Sequence, residues 1–171
     1  MARLRKFTAY RRLERPYTRF SKFRRLSYVR ARPVDRVVRH NMGDPNKAYD
    51  HTLYLVAKDG VQVRDNAIEA ARKTMNHILE RQAGKKQFDL QIRMFAHHVL
   101  RENPLASGAG ADRMSTGMKH SFGKPIGRAC QVKKGKILLS LRVFKQHLEL
   151  GKKALKRATH KLPCRSQIII Q

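Results

Sequence analysis

The positive charge of this chain is segregated, and that segregation limits which parts can form an ordinary core. Residues 1–40 carry 14 Lys and Arg against 2 acids, residues 41–127 carry 13 against 9, and residues 128–171 carry 12 against 1. The net charges are +12, +4 and +11, so nearly all of the +27 excess lies at the two ends. Like charges at such density repel one another unless a polyanion neutralises them. The middle is left as the globular body, and the ends become its grip on an acidic partner. At 171 residues and 41% hydrophobic content the chain has material for one packed core, not two.

Membranes, acidic proteins and nucleic acids all present negative surfaces. No apolar run in the sequence approaches the ~20 residues of a transmembrane helix, so no membrane partner is expected. The basic start MARLRKFTAY has no apolar segment behind it and does not read as a signal peptide. The two cysteines, Cys130 and Cys164, lie far apart in sequence and suit a reducing compartment, which makes a soluble cytosolic protein the expectation.

The N-terminal stretch interleaves its cations with Phe7, Tyr10, Tyr17, Phe20, Phe23 and Tyr28 and shows neither strand nor helix periodicity. The expectation is a basic aromatic extension over residues 1–27, without stable structure until phosphates neutralise it, followed by one domain over 28–171. Aromatic faces stack on unpaired bases, and arginine forks to phosphate or lies flat on a base. Nucleic acid, and RNA in particular, is therefore the expected partner. The candidate contacts at this end are Arg3, Arg5, Lys6, Tyr10, Arg11, Arg12, Tyr17, Arg19, Lys22, Arg24, Arg25, Arg30 and Arg32. At the other end they are Lys133, Lys134, Lys136, Lys152, Lys156 and Arg165.

Between the ends, RVVRH (36–40) and TLYLVA (52–57) read as strands, and Asp59-Gly60 as a turn. Asp65 or Asn66 is placed to cap a helix that buries Ile68, Ala71, Met75, Ile78 and Leu79 and stops at Gly84. FDLQIRMF (88–95) alternates as a strand with one covered face, leaving Asp89, Gln91 and Arg93 outward. ACQV (129–132) and KILLSLRV (136–143) flank Lys133-Lys134-Gly135 as a hairpin. A second helix is predicted from Gln146 to Thr159, with Gly151 weakening its first turn, and a short strand over 167–170 closes the chain. The fold class is α+β: two helices packed on a mainly antiparallel or mixed sheet.

Residues 107–125, SGAGADRMSTGMKHSFGKP, belong to a long glycine-rich loop taken as 101–127. Its spacing fits no nucleotide-binding fingerprint. Gly123-Lys124 is followed by Pro125 with Met118 where a P-loop needs glycine, and Arg113 occupies the third glycine position of a dinucleotide motif. His97 and His98 are adjacent and project to opposite faces, and the cysteines lack zinc spacing, so no metal site is expected. Glu102 and Asp112 flank the loop as a conceivable acid/base pair, but salt bridges to Arg101 and Arg113 account for them more simply. A loop of some twenty residues with few apolar anchors is costly to order alone. It orders against something outside the domain.

The run HHVLRENPLASGAGADRMSTGMKHSFGKPIG, with EAARKTMNHILER before it and LPCRSQIII at the end, resembles the large-subunit ribosomal protein family called L-ten-e in archaea and eukaryotes, counterpart of bacterial L-sixteen. The resemblance implies an α/β-hammerhead fold and a structural role without catalysis or cofactor. It implies binding to large-subunit ribosomal RNA beside the A-site tRNA cleft, proximity to A-site and P-site tRNA, contact with neighbouring ribosomal proteins, and late assembly with assembly factors. It directs the glycine-rich loop toward the peptidyl transferase centre, a role that falls here on Ser107, Gly108, Gly110, Asp112, Arg113, Met114, Gly117, Lys119 and Lys124. Cys164, His120 and Ala96 depart from the family's usual residues, and the absence of a eukaryotic basic aromatic extension after Gln171 favours an archaeal-type protein. Two other classes remain as alternatives: an RNA-processing enzyme using His98, Glu102 or Asp112, and a free-standing RNA chaperone.

Overall fold

The computed structural model describes residues 5–18, 22–26, 29, 33–105, 108 and 117–171. Among them the order is β1 (Asn41–Gly43), β2 (His51–Ala57), β3 (Val61–Arg64), α1 (Asp65–Gln82), β4 (Phe88–Ile92), β5 (His98–Glu102), β6 (Lys124–Val132), β7 (Ile137–Val143), α2 (Leu148–Thr159) and β8 (Ser166–Ile170). Two antiparallel sheets result: five strands in the order β1-β4-β7-β2-β8, and three in the order β3-β6-β5. The two helices pack on each other and on the sheets, as the α+β reading expects.

Alternation sets the core. Leu53, Leu55 and Ala57 of β2 are buried beside Phe88, Leu90 and Ile92 of β4 and Leu139, Leu141 and Val143 of β7. Ile68, Ala71, Met75 and Leu79 close over them from α1, and Ala154, Leu155 and Ala158 from α2. Asp89 is buried too, contrary to the alternation read from sequence, because its cross-strand neighbour Arg142 reaches it at 2.7 Å and neutralises it.

The predicted strand over 36–40 does not form. Its backbone N–H groups are directed at carboxylates: Arg36 donates to Asp65 Oδ2 at 3.4 Å, Val37 to Asp35 Oδ1 at 3.0 Å, and Val38 to Glu69 Oε2 at 3.3 Å. The segment thus ties to the first turn of α1, and pairing begins only at Asn41. Glu69 also receives Arg72 at 2.6 Å, and the guanidinium holds its carboxyl below the ordinary range. The strands β3 and β5 form in stretches to which the sequence reading assigned no strand, β5 running into the start of the expected loop, and β6 begins at Lys124, within that loop.

The Lys133-Lys134-Gly135 hairpin is also corrected. Val132 pairs with Val61 in one sheet, whereas Ile137 pairs with Val56 in the other. The chain therefore turns a corner between sheets, pinned where Gly135 N donates to Ala57 O at 2.8 Å and Ala57 N to Lys136 O at 3.0 Å. The turn over Asp59-Gly60 makes the same passage in the other direction, from β2 to β3. Local spacing gives a turn but not its partner, which non-local pairing with β2 and β4 decides.

Gly151 is a requirement of packing. A Cβ there would lie 3.3 Å from Leu141 Cδ2 and 3.6 Å from Leu53 Cδ1, so the missing side chain lets α2 approach the sheet. Gly151→Val, which adds three carbons to this contact, is expected to lower stability by roughly 1–3 kcal/mol in urea unfolding of the isolated protein. An unchanged midpoint would show that α2 has room to move away.

Candidate nucleic-acid interface

Residues 5–18 are held, not loose. The side chain of Gln62 on β3, 1% exposed, donates to the carbonyls of Tyr10 at 3.0 Å and Arg12 at 2.7 Å. Its Oε1 accepts from Gln131 Nε2 at 3.2 Å, and the same amide donates to Glu14 O at 2.8 Å. Val99 N donates to Tyr17 O at 3.1 Å, and Tyr17 N to His98 Nδ1 at 2.8 Å. All three strands of the smaller sheet thus hold the basic segment by its backbone. The grip leaves the side chains of Arg11, Arg12 and Arg15 exposed. A segment expected to lack structure in isolation is ordered here by buried amides that satisfy its polar main chain.

The start of this strap also meets the base of the glycine-rich loop. Arg5 forms an ion pair with Glu102, and Tyr10 Oη donates to the other carboxylate oxygen at 3.4 Å. Burial, with the Glu102 charge adding to it, pushes the Tyr10 phenol up. Arg101 lies over the Phe122 ring at 3.8 Å and the Tyr17 ring at 4.8 Å, and those two rings meet edge to face at 5.4 Å. Asn103 Nδ2 donates to Gly117 O at 3.1 Å. Gly123, at φ +84°, sits where a Cβ would come within 2.8 Å of the Glu102 carbonyl carbon, so the loop closes tightly between β5 and β6. Tyr10 and Tyr17 therefore have intramolecular partners, and Glu102 pairs with Arg5, not with its neighbour Arg101.

At the corner between the sheets lies a groove of about 670 Å³ lined by Arg11, Lys58, Asp59, Lys134, Cys164 and Arg165 among others. Asp59 is its acid, and Arg165 reaches it at 2.8 and 3.0 Å, which lowers the Asp59 pKa. The remaining charge is positive. Arg11 comes from the basic N-terminal end and Lys134 and Arg165 from the C-terminal end, so the fold brings the two charged ends to one cleft.

Other candidates are dispersed. Lys6, Lys22, Arg25, Lys133 and Lys156 are exposed, and Lys152 pairs with Glu149 at 2.6 Å. Lys136 points instead toward Cys130 Sγ, 3.9 Å away. Arg24 opens a short 3-10 turn, Gly108 and Gly117 take positive φ, Lys119 is exposed, and Lys124 begins β6. Arg3, Arg19, Arg30, Arg32, Ser107, Gly110, Asp112, Arg113 and Met114 lie outside the described residues. Lys58, Gln62, Arg101, Phe122 and Gln131 were not singled out by sequence. Only Lys58, beside a turn signal, had a local mark; the two glutamines matter because of what the fold stacks above them.

Of the groups considered for catalysis, the two that lie among the described residues have structural partners. His98 is 2% exposed and accepts from the strap, and Glu102 is engaged with Arg5. His97 stays partly exposed beside Phe95 O at 3.1 Å. Among the described residues no group of His, Cys, Asp and Glu is arranged to hold a metal, and no helix is long and apolar enough to cross a membrane.

The described residues thus form an α+β domain with a backbone-gripped basic strap and a cationic corner groove. Residues 15–169 match the model of the ribosomal protein L16p/L10e family, and the chain belongs to that family. It is thus a ribosomal protein, structural and not catalytic. It is 45% identical to the large ribosomal subunit protein uL16 of Archaeoglobus fulgidus, over 95% of this chain and 90% of the relative. The protein of the same name from Staphylothermus marinus is 42% identical over 92% and 91%, and that of Methanococcus aeolicus 39% over 98% and 94%. These archaeal relatives agree with the archaeal-type reading.

Burial holds His98 below its ordinary value of 6.5, which keeps Nδ1 free to accept from Tyr17. The unfolded chain takes up this proton first on acidification, so the contribution is complete above pH 6.5 and is lost as pH falls from there through the folded-state value. His98→Asn should flatten the fall in stability between about pH 7 and 5, a window set by the ordinary histidine value. Urea midpoints for both proteins across that range measure it, and parallel curves would exclude His98 as the titrating group.

Proposed function

We propose that this protein is a structural constituent of the large ribosomal subunit that binds its ribosomal RNA beside the A-site tRNA cleft. The observation that carries the reading is the convergence on one groove of Arg11, Lys134 and Arg165, drawn from both charge-rich ends of the chain, with Lys58 from the body between them. A groove with one neutralised acid and several forked or flexible cations suits phosphates, which position a protein without naming a base. Family membership and the names of the archaeal relatives supply the partner.

The loop that follows β5 is directed, in this reading, toward the peptidyl transferase centre and the acceptor ends of A-site and P-site tRNA. Its base is clamped by Arg101, Phe122 and Asn103, so an excursion starting there begins from a fixed point. The strap, anchored by main chain, presents its arginines to RNA. The setting is cytoplasmic, in contact with neighbouring ribosomal proteins and, during late assembly, with assembly factors.

Two outcomes test this. The reverse-charge triple variant Arg11→Glu, Lys134→Glu, Arg165→Glu should flatten the log–log salt dependence of binding to a large-subunit ribosomal RNA fragment by about 2–3 units of slope. An unaltered slope would remove the groove from the interface. Deleting residues 108–117 should slow peptide synthesis by reconstituted ribosomes while leaving the thermal midpoint of the free protein nearly unchanged. A variant that folds and supports normal synthesis would refute the role of the loop.

A further inference from the structure

The five-stranded sheet ends at β8, and among the described residues nothing pairs with its outer side. Register shows which groups face outward. Gln171 and Thr52 exchange hydrogen bonds at 2.9 Å each way, and Lys58 N donates to Arg165 O at 2.8 Å, so the odd-numbered residues of this strand address β2. By the alternation of an antiparallel ladder, the N–H and C=O groups of Ser166, Ile168 and Ile170 point away from the sheet. Natural proteins usually protect such an edge with a charge, a proline or a bulge on the strand itself. This strand reads Ser-Gln-Ile-Ile-Ile and has none of these.

Its surroundings are specific. A groove of about 470 Å³ runs between β8 and α2, lined by Ile168 and Ile170 on the strand and by Glu149, Lys152, Lys153 and Lys156 on the helix. Lys152 is paired with Glu149 at 2.6 Å, which leaves Lys153 and Lys156 exposed above the edge. On the opposite face Ile169 is 42% exposed. We propose that the β8 edge and the lysines of α2 form a docking site for an extended acidic segment of another protein, added as a further antiparallel or parallel strand.

The geometry selects the pattern of that segment. Successive side chains of an added strand alternate between the α2 face and the opposite one. Those on the α2 face run beneath Lys153 and Lys156 and match glutamate, whose methylenes cover Ile168 and Ile170. Those on the other face lie beside Ile169 and match a β-branched residue. RNA fits this edge less well: phosphates answer the lysines but have no use for a row of ladder donors and acceptors flanked by isoleucine. The site shares no lining residue with the corner groove, so its loss would leave the reading of that groove untouched, and it gives Lys156, a candidate RNA contact by sequence, a different partner.

The test uses the full chain and two synthetic peptides of equal length and charge, one alternating Glu and Val, the other the same sequence N-methylated at every Glu. The first can form a ladder, and the second cannot, because its methylated nitrogens are the ones that face β8. The Glu-Val peptide is expected to bind about tenfold or more tightly than the N-methylated peptide, and to slow amide exchange at Ile168 and Ile170. Ile170→Pro removes one outward N–H without touching the bonds to β2, and should reduce Glu-Val binding to the level of the N-methylated peptide while the thermal midpoint holds. Lys153→Glu with Lys156→Glu should weaken it as well. Equal binding of both peptides, or displacement by oligouridylate that is indifferent to Ile170→Pro, would reduce the site to a general polyanion surface and overturn the proposal. So would concentration-dependent dimerisation of the wild-type chain that Ile170→Pro abolishes, since the edge would then serve a second copy.

Discussion

The structure depends on keeping 39 Lys and Arg side chains from driving one another apart with only 12 acids to counter them. The acids sit where one carboxylate controls several groups. Asp89 pins Arg142 across two strands, Glu69 receives Arg72 and the backbone of Val38, and Glu102 joins the strap to the base of the loop. Asp50 accepts from Lys145 N at 2.8 Å, which seats the entry to α2, and Asp65 holds Arg36 N. Exposed ion pairs contribute little stability individually. Their effect here is positional: Asp89, Glu69 and Glu102 each fix one guanidinium, and Asp50 and Asp65 each fix one backbone N–H, which leaves the other cations free of these acids.

The strap shows the same economy by neutral means. Gln62 and Gln131 are uncharged amides on the smaller sheet, and they hold carbonyls, not side chains. A grip on the main chain is indifferent to which cations the segment carries, so its arginines remain available to phosphate. The arrangement also couples distant parts. Arg5, Tyr10 and Tyr17 touch residues on either side of the glycine-rich loop, so a change in the strap is felt where that loop leaves the domain. His98 adds a proton-sensitive point to the coupling, because only its neutral ring accepts from Tyr17 N.

Periodicity made the amphipathic elements legible. The helix over residues 65–82 and the strands β2, β4 and β7 each bury a face against the core, and hydrophobic spacing marks such a face, while β8 showed as a short apolar run that only leans Ile168 on the core. The strands β3 and β5 escaped because they are short and adjoin turn-like or glycine-rich stretches. RVVRH was misread because β-branched composition records a fit to a half-buried surface and not a partner. Its N–H groups went to Asp35, Asp65 and Glu69 instead. Of the interface, the cationic ends and the loop were visible in one dimension, whereas Gln62 and Gln131 carried no signal that singled them out and Lys58 had only its place beside a turn.

By itself the sequence determined the charge segregation, the α+β class, the family and the absence of a nucleotide fingerprint, since these rest on composition and short-range spacing. Only the tertiary structure decided that Lys133-Lys134-Gly135 is a corner between two sheets and that Arg11 shares a groove with Lys134 and Arg165. It alone decided that the basic N-terminal segment is ordered over residues 5–18. The reason is common to all three. Each depends on which strand a residue meets across scores of intervening positions, and such non-local pairing is settled by the burial and hydrogen bonding of the whole domain, not by any local pattern.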